Sequence, residues 1–263
     1  MKFLPIAVLC AHTGTAALAA EPTPKCPAPI SVGVYGCCYF FEHDRGIDAD
    51  LLQALAERSG CDFRKTYMPR ARVWHEMKNA RLDMTTMGIE TPERSQFAWF
   101  LGYVRTKYLA VYRTDHPLAA KLEQIAADPG TVIGMVRSFH HGAVIDALIE
   151  EVRQRQPNRI FEARDEMTLF KLLAAGRVQL IFAEMPLFDY ATKNLGIKDA
   201  EARDIAPEEA PVARCLTLSK FRFSEAEAEK WRALLGSLQR DGTMARIIDK
   251  YLPIDVQKSV VRS

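Results

Sequence analysis

Three features of the sequence predict an α/β fold made of two successive units. Short apolar, β-branched runs alternate with segments of helical periodicity between residues 30 and 87, a turn at Asp115-His116-Pro117 interrupts the chain, and the alternation resumes at residue 131. The 263 residues, 48% hydrophobic and 26% charged, suffice to bury cores in two small lobes. The 35 basic and 33 acidic side chains nearly cancel, and neither sign gathers into a block that would track a phosphate backbone or an anionic membrane. No nucleic-acid partner is therefore expected.

Ile30-Ser31-Val32-Gly33-Val34 reads as a buried strand running into a Gly/Cys/Tyr loop. Over 48–59, Leu51, Leu52, Leu55 and Ala56 recur at helical spacing, and Gly60 ends the helix. Residues 61–67 give a second strand, 72–80 a second helix with Val73, Trp74 and Met77 on one side, and 83–87 a third strand. The run 102–113 is strand-like throughout, and the first lobe boundary is set after it, at Asp115-His116-Pro117. A strand at 131–136, helices at 143–156 and 166–175 and a strand at 180–183 build the second unit. Residues 207–211 lead back to a strand at 214–219, a helix over 224–238 with Ser224 as N-cap, and a last helix over 243–251 beyond Gly242. Residues 259–263 are expected to be a frayed tail.

The first twenty residues stand apart. Lys2 is their one charge, an apolar run covers 3–10, and small residues lead to Ala17-Leu18-Ala19. That is the layout of a secretory signal peptide cleaved near Ala19 or Ala20. His12, Thr13 and Gly14 interrupt the run, which is too short and polar for a membrane anchor. Export places Cys26, Cys37, Cys38, Cys61 and Cys215 where disulfides persist. Cys26 precedes the first strand and Cys61 starts the second, at one edge of a parallel sheet, so a Cys26 to Cys61 disulfide is expected; the state of Cys37, Cys38 and Cys215 is open. Cys37 and Cys38, with His43, His140 and His141, lack metal-ligand spacing, so neither metal nor cofactor is implied.

Six motifs in order resemble the polar amino-acid type of periplasmic solute-binding protein, extracellular solute-binding family 3. They are Val32-Gly33-Val34 with the aromatic loop after it, Gly46-Ile47-Asp48-Ala49-Asp50-Leu51-Leu52, Arg81-Leu82-Asp83-Met84, Thr91-Pro92-Glu93-Arg94, Gly176-Arg177-Val178-Gln179, and Asp241-Gly242-Thr243-Met244 ahead of Lys250-Tyr251-Leu252-Pro253. The likeness runs over about 30–253, nearly the whole mature chain. It implies a periplasmic-binding-protein-like type II Venus flytrap: two α/β lobes joined by two crossover strands, with the ligand between them. After a signal peptide at 1–20, lobe one would comprise 27–113 plus 215–263, and lobe two 114–214. The implied function is capture of an amino acid, or similar small polar solute, by a periplasmic monomer that delivers it to an ABC transporter permease. An enzyme on the same scaffold, a dehydratase of prephenate-like substrates, is the alternative, with Glu184, His140 or Glu90 as its acid or base. A sensor module is less expected, since the chain ends at Ser263 with no further domain.

The resemblance also implies site residues. Arg94, in Thr91-Pro92-Glu93-Arg94, would fork onto the ligand's α-carboxylate, a geometry that lysine does not supply. Glu184 stands where the family usually carries an aspartate for the ligand's ammonium, one methylene longer here. Gln179 replaces the usual aspartate of the G-x-x-D pattern, a structural position. Met87, Gly88 and Glu90 would offer carbonyls and short side chains to the ammonium, although this stretch is one residue shorter than the family pattern. The Gly134 to Gly142 loop would turn amides and the Ser138 hydroxyl to the carboxylate, with Phe139 and His140 in place of smaller residues. Tyr35, Tyr39 and Phe41 belong to an aromatic wall of which one or two members would touch ligand. Arg70 is either a surface cation or the partner of a second ligand carboxylate. Arg70, Arg137 and His140 suit a polar ligand side chain and Tyr35, Tyr39 and Phe139 an apolar one; the sequence does not choose.

Overall fold

The computed structural model describes residues 23–26, 29–36 and 38–262, so the expected signal peptide and Cys37 lie outside the described residues. The chain starts with β1 (Ile30–Val34), α1 (Ile47–Ser59), β2 (Phe63–Tyr67), α2 (Arg70–Lys78) and β3 (Met84–Gly88), and β1 runs parallel between β2 and β3. Gly46 opens α1 at φ +118, and a Cβ there would meet the Phe40 carbonyl, so only glycine fits. Gly60 ends the helix at φ +70, its N–H donating to the Ala56 carbonyl. Leu51, Leu52 and Leu55 are the buried face of α1.

β4 (Ala98–Thr106) and β5 (Tyr108–Arg113) follow, separated by Lys107 alone. Next come α3 (Leu122–Ala127), β6 (Ile133–Val136), α4 (Ala143–Arg155), β7 (Ile160–Ala163), α5 (Glu166–Ala174), β8 (Leu180–Glu184), α6 (Met185–Leu195) and β9 (Ala200–Arg203). The chain then returns through β10 (Val212–Ser219), α7 (Glu225–Arg240), α8 (Thr243–Tyr251), α9 (Ile254–Gln257) and β11 (Val260–Arg262). One sheet has the order β11-β4-β10-β3-β1-β2 and the other β7-β6-β8-β5-β9. The result is a mixed α/β molecule with a cleft between two sheet-based lobes.

Sheet membership corrects two expectations. The strand-like run 102–113 changes sheet in its middle: β4 pairs with β10 and β11, whereas β5 pairs with β8 and β9. The chain therefore crosses at Lys107 rather than after Arg113, and β10 brings 212–214 into the first sheet. Strand propensity is the same on both sides of such a crossing, so composition does not mark it. Residues 259–262 of the expected tail are also ordered: β11 lies antiparallel on β4, with Val260 6% exposed, and covers an edge that would otherwise stand open. Elements α3, β7, α6 and β9 had no counterpart in the sequence reading.

Cys26 and Cys61 form a disulfide with Cα atoms 5.2 Å apart, beside a bond from the Lys25 N–H to Glu227 Oε2 (2.9 Å). Cys38 and Cys215 are buried, and burial pushes the Cys215 thiol up to about 12. The disulfide closes a loop of sequence separation 35. Cys26→Ser with Cys61→Ser is expected to lower unfolding free energy by about 2–4 kcal/mol, seen as a lower urea midpoint at unchanged slope.

Candidate functional site

The cavities between the lobes are lined from lobe one by the loop after β1, the end of β2 and the start of α2, and from lobe two by the N-terminus of α5 and by α6; beside them the segment after β3 meets the loop after β6 through Arg94 and Ser138. β3 carries a bulge: Cys215 of β10 pairs with Gly88 and Thr217 with Thr85, so Thr86 and Met87 together oppose Leu216. Met87 takes φ +56 there. The Tyr35 hydroxyl lies 3.0 Å from the Met87 carbonyl and 3.2 Å from that of Thr86. A Cβ at Gly88 would fall on the Thr217 hydroxyl, which fixes a glycine at this approach. Behind the bulge, the Met87 N–H donates to the Tyr103 hydroxyl (3.2 Å), which donates to Asp48 Oδ1 (2.6 Å).

Two arginines of lobe one reach lobe two. Arg70, the first residue of α2, lies between the rings of Tyr35 (4.1 Å) and Phe139 (4.0 Å). It donates to the Tyr35 hydroxyl (3.0 Å) and pairs with Glu166 Oε1 (2.6 Å) at the start of α5, so it is buried rather than a surface cation. Arg94 opens a 3-10 turn (Arg94–Gln96) and stacks on Trp74 at 3.8 Å. Its guanidinium donates to the Ile89 carbonyl (3.0 Å) and, across the cleft, to the Ser138 carbonyl (2.8 Å). Ser138 takes φ +60 in the turn closed by the Phe139 N–H on the Val136 carbonyl, which aims its own carbonyl outward. Among the described residues no carboxylate lies within ion-pair distance of Arg94. Burial, then the charge of Arg70, draws the Arg94 guanidinium down to about 10.

Where the lobes cross, Glu184 ends β8 with its carboxylate fully enclosed. Its Oε1 pairs with the Arg214 guanidinium from β10 and accepts from the Thr106 hydroxyl (3.1 Å). Arg214 also meets the Tyr108 hydroxyl, and its charge lies 4.9 Å from the Tyr108 ring and 5.6 Å from the Phe139 ring. Burial pushes the Glu184 carboxyl up to about 7, and the Arg70 charge and the Thr106 hydroxyl oppose it.

The remaining expected positions are divided. Phe139 is packed rather than exposed. His140 lies beside Asp146 (Nδ1 to Oδ2, 3.0 Å), and the buried His141 shares that carboxylate. Tyr39 donates to Asp189 of α6 (2.7 Å), and Tyr190 donates to Glu42 (2.7 Å), tying the lobes along the cleft's outer seam. Phe41 is buried along a cavity of about 800 Å³ that opens between the lobes, lined also by Lys65, Arg164 and Lys171. A smaller cavity of about 250 Å³ lies against Tyr35, Tyr67, Pro69, Arg70 and Glu166. Glu90 is exposed and accepts from Ser95 (2.9 Å), away from the other residues, and Arg137 points outward to Glu162. Gln179 braces Val132 and Gly176 through its side-chain amide. Sequence reasoning missed Glu166, Arg214 and Trp74; the one signal for Arg214 was a charge inside an apolar strand.

The sequence of 41–254 matches the model of the bacterial extracellular solute-binding proteins, family 3. The chain belongs to that family. Solved structures give the same fold at low identity. A histidine kinase sensor domain similar to periplasmic binding proteins superposes with a TM-score of 0.71 at 18% identity, over 89% of this chain and 98% of that one. The substrate-binding protein of an amino acid ABC transporter gives 0.68 at 17%, over 86% and 99%. An ABC uptake transporter substrate-binding protein from Streptococcus pneumoniae with bound histidine gives 0.70 at 17%, over 87% and 94%. A comparison with curated protein sequences finds no match. This solute-binding family member is thus a type II periplasmic-binding-protein fold.

Burial raises the Asp48 carboxyl to about 6, against an ordinary value of 3.8, despite the hydrogen bond from Tyr103. A native carboxyl titrating above its unfolded counterpart holds its proton where the unfolded chain has lost it. Its contribution is therefore present below about pH 4 and declines as pH rises to about 6. Asp48→Asn, which keeps an acceptor for Tyr103, is expected to leave stability unchanged near pH 4 and to raise it by roughly 2–3 kcal/mol at pH 7.5, as read from urea denaturation at the two pH values.

Proposed function

We propose that this family member is an exported receptor that captures a small polar solute bearing a carboxylate and delivers it to an ABC permease. The resemblance implies an amino acid or similar small polar solute, and the residues of the cleft support its carboxylate end. Arg94 carries the proposal. It is a buried guanidinium, held flat on Trp74, which reaches from one lobe to the other and finds carbonyls rather than a carboxylate. A guanidinium offers five N–H donors in a planar fork that matches a carboxylate. When the lobes part at Thr106-Lys107-Tyr108 and at the segment before β10, a ligand carboxylate takes the place of the Ser138 carbonyl and closure follows.

The leader with its Ala17-Leu18-Ala19 site and the family's extracellular setting support a periplasmic location for a monomer. The solved amino acid and histidine receptors, similar in fold, support the transport role. The enzymatic alternative draws no support from its named groups: Glu90 is outside the cleft, His140 is engaged by Asp146, and Glu184 by Arg214.

A thermal-shift screen of the mature protein against amino acids and small mono- and dicarboxylates tests the reading. A ligand at 100 times its Kd stabilises the native state by about 2.7 kcal/mol, a rise of several degrees in Tm. Arg94→Ala is expected to weaken binding of that ligand at least about 30-fold, with Arg94→Lys restoring little of it. A panel with no shift, or an Arg94→Ala protein that responds like wild type, would defeat the proposal.

A further inference from the structure

The carboxylate that the resemblance assigns to a ligand's ammonium is already taken by the protein's own donors. The Met87 and Thr86 carbonyls share the single hydroxyl proton of Tyr35, and the Ile89 carbonyl accepts from Arg94. Gly88 is pressed against Thr217, and Glu90 is turned to solvent and Ser95. Glu184 is paired with a guanidinium that is itself fully buried, and the same oxygen accepts from Thr106. An incoming ammonium would have to displace Arg214 from Glu184 and leave that guanidinium enclosed beside Phe139 and Tyr108 without its counter-charge. Breaking a buried pair in that way is strongly unfavourable.

The cleft's donors are in the opposite condition. Among the described residues Arg94 donates to neutral carbonyls, and Arg70, which touches the smaller cavity, reaches lobe two through Glu166 and the Phe139 ring. A ligand carboxylate that replaces the Ser138 carbonyl adds charge to the Arg94 bond, whereas a ligand ammonium at the same place faces Arg94 and Arg70 and finds Glu184 already paired.

We infer that the solute is a small organic acid without an amino group, a 2-hydroxy, 2-oxo or simple mono- or dicarboxylate, and that Arg214 is the residue that excludes the ammonium of the matching amino acid. This rests on the receptor reading above and narrows it. Arg214 stands as an internal cation where the family pattern would place the ligand's own.

Matched pairs that differ at one carbon separate the possibilities: 2-oxoglutarate against glutamate, malate against aspartate, pyruvate and lactate against alanine, phenylpyruvate against phenylalanine. Isothermal titration of the mature protein is expected to show the oxo or hydroxy acid binding at least tenfold tighter than its amino partner. Amino acids that bind as tightly or tighter overturn this inference and leave the receptor reading standing. Silence from both members of every pair overturns both readings. Arg214→Met keeps the buried stem and removes the charge that covers Glu184, and it is expected to move the binding ratio at least tenfold toward the amino acid. An unchanged ratio in the folded variant overturns the role given to Arg214. If the variant does not fold, the wild-type pairs decide by themselves.

Discussion

A carboxylate and a guanidinium shut away from water set the terms for the rest of this molecule. Glu184 comes from the end of β8 in one lobe and Arg214 from β10 in the other sheet, and Thr106 and Tyr108 approach from either side of the single-residue crossing at Lys107. Neither charge is tolerable in that place alone, since an unpaired ion taken from water into a protein interior costs several kcal/mol even after relaxation. The pair therefore fixes the register in which the two crossover strands pass each other, and that register decides which residues the lobes present to one another.

Those groups hold the lobes together in a graded way. The Arg70 to Glu166 pair is buried and short, the Arg94 to Ser138 bond is partly buried, and the Tyr39 to Asp189 and Tyr190 to Glu42 bonds lie toward the rim. Rim contacts between exposed polar groups contribute little, because water replaces them at small cost. The buried contacts are the ones a ligand must replace. A ligand shifts an open and closed equilibrium only by its difference in affinity for the two states. A solute that merely took over the bond to Ser138 would shift it little; one that supplies Arg94 with a charged partner, while leaving Arg70 on Glu166, would shift it in favour of closure.

The periodic parts of the fold were legible in the sequence. Leu51, Leu52 and Leu55 marked the buried face of α1, Gly60 its end, and Ser224 the start of α7, because each rests on interactions within a few residues. The sheet change at Lys107 was not legible, since partners far along the chain decide it. The pairing of Val260 with Thr106 was hidden for the same reason, as were the short α3, β7 and β9. In the cleft, Arg94 and Glu184 could be named from motifs. What occupies them could not, because Arg214 and Ser138 meet them only after both sheets have formed. Arg70 shows the difference most plainly: either a surface cation or a ligand contact from its position ahead of the helix expected over 72–80, it is in fact a buried tie between the lobes.

Fold likeness at such low identity constrains shape and says little about chemistry, which resides in how a few side chains are satisfied. The same lobes and hinge serve a kinase sensor domain and importer receptors among the solved relatives, so the shared architecture does not choose a ligand. Polar satisfaction does. A buried acceptor already filled by the protein offers nothing to a ligand and penalises any group that evicts its partner, whereas a buried cation resting on carbonyls gains from an anion that replaces one of them. Counted in those terms, Glu184 is closed and Arg94 is open. On the proposed reading, the charge the solute brings is set in part by groups in the crossing of β4, β8 and β10.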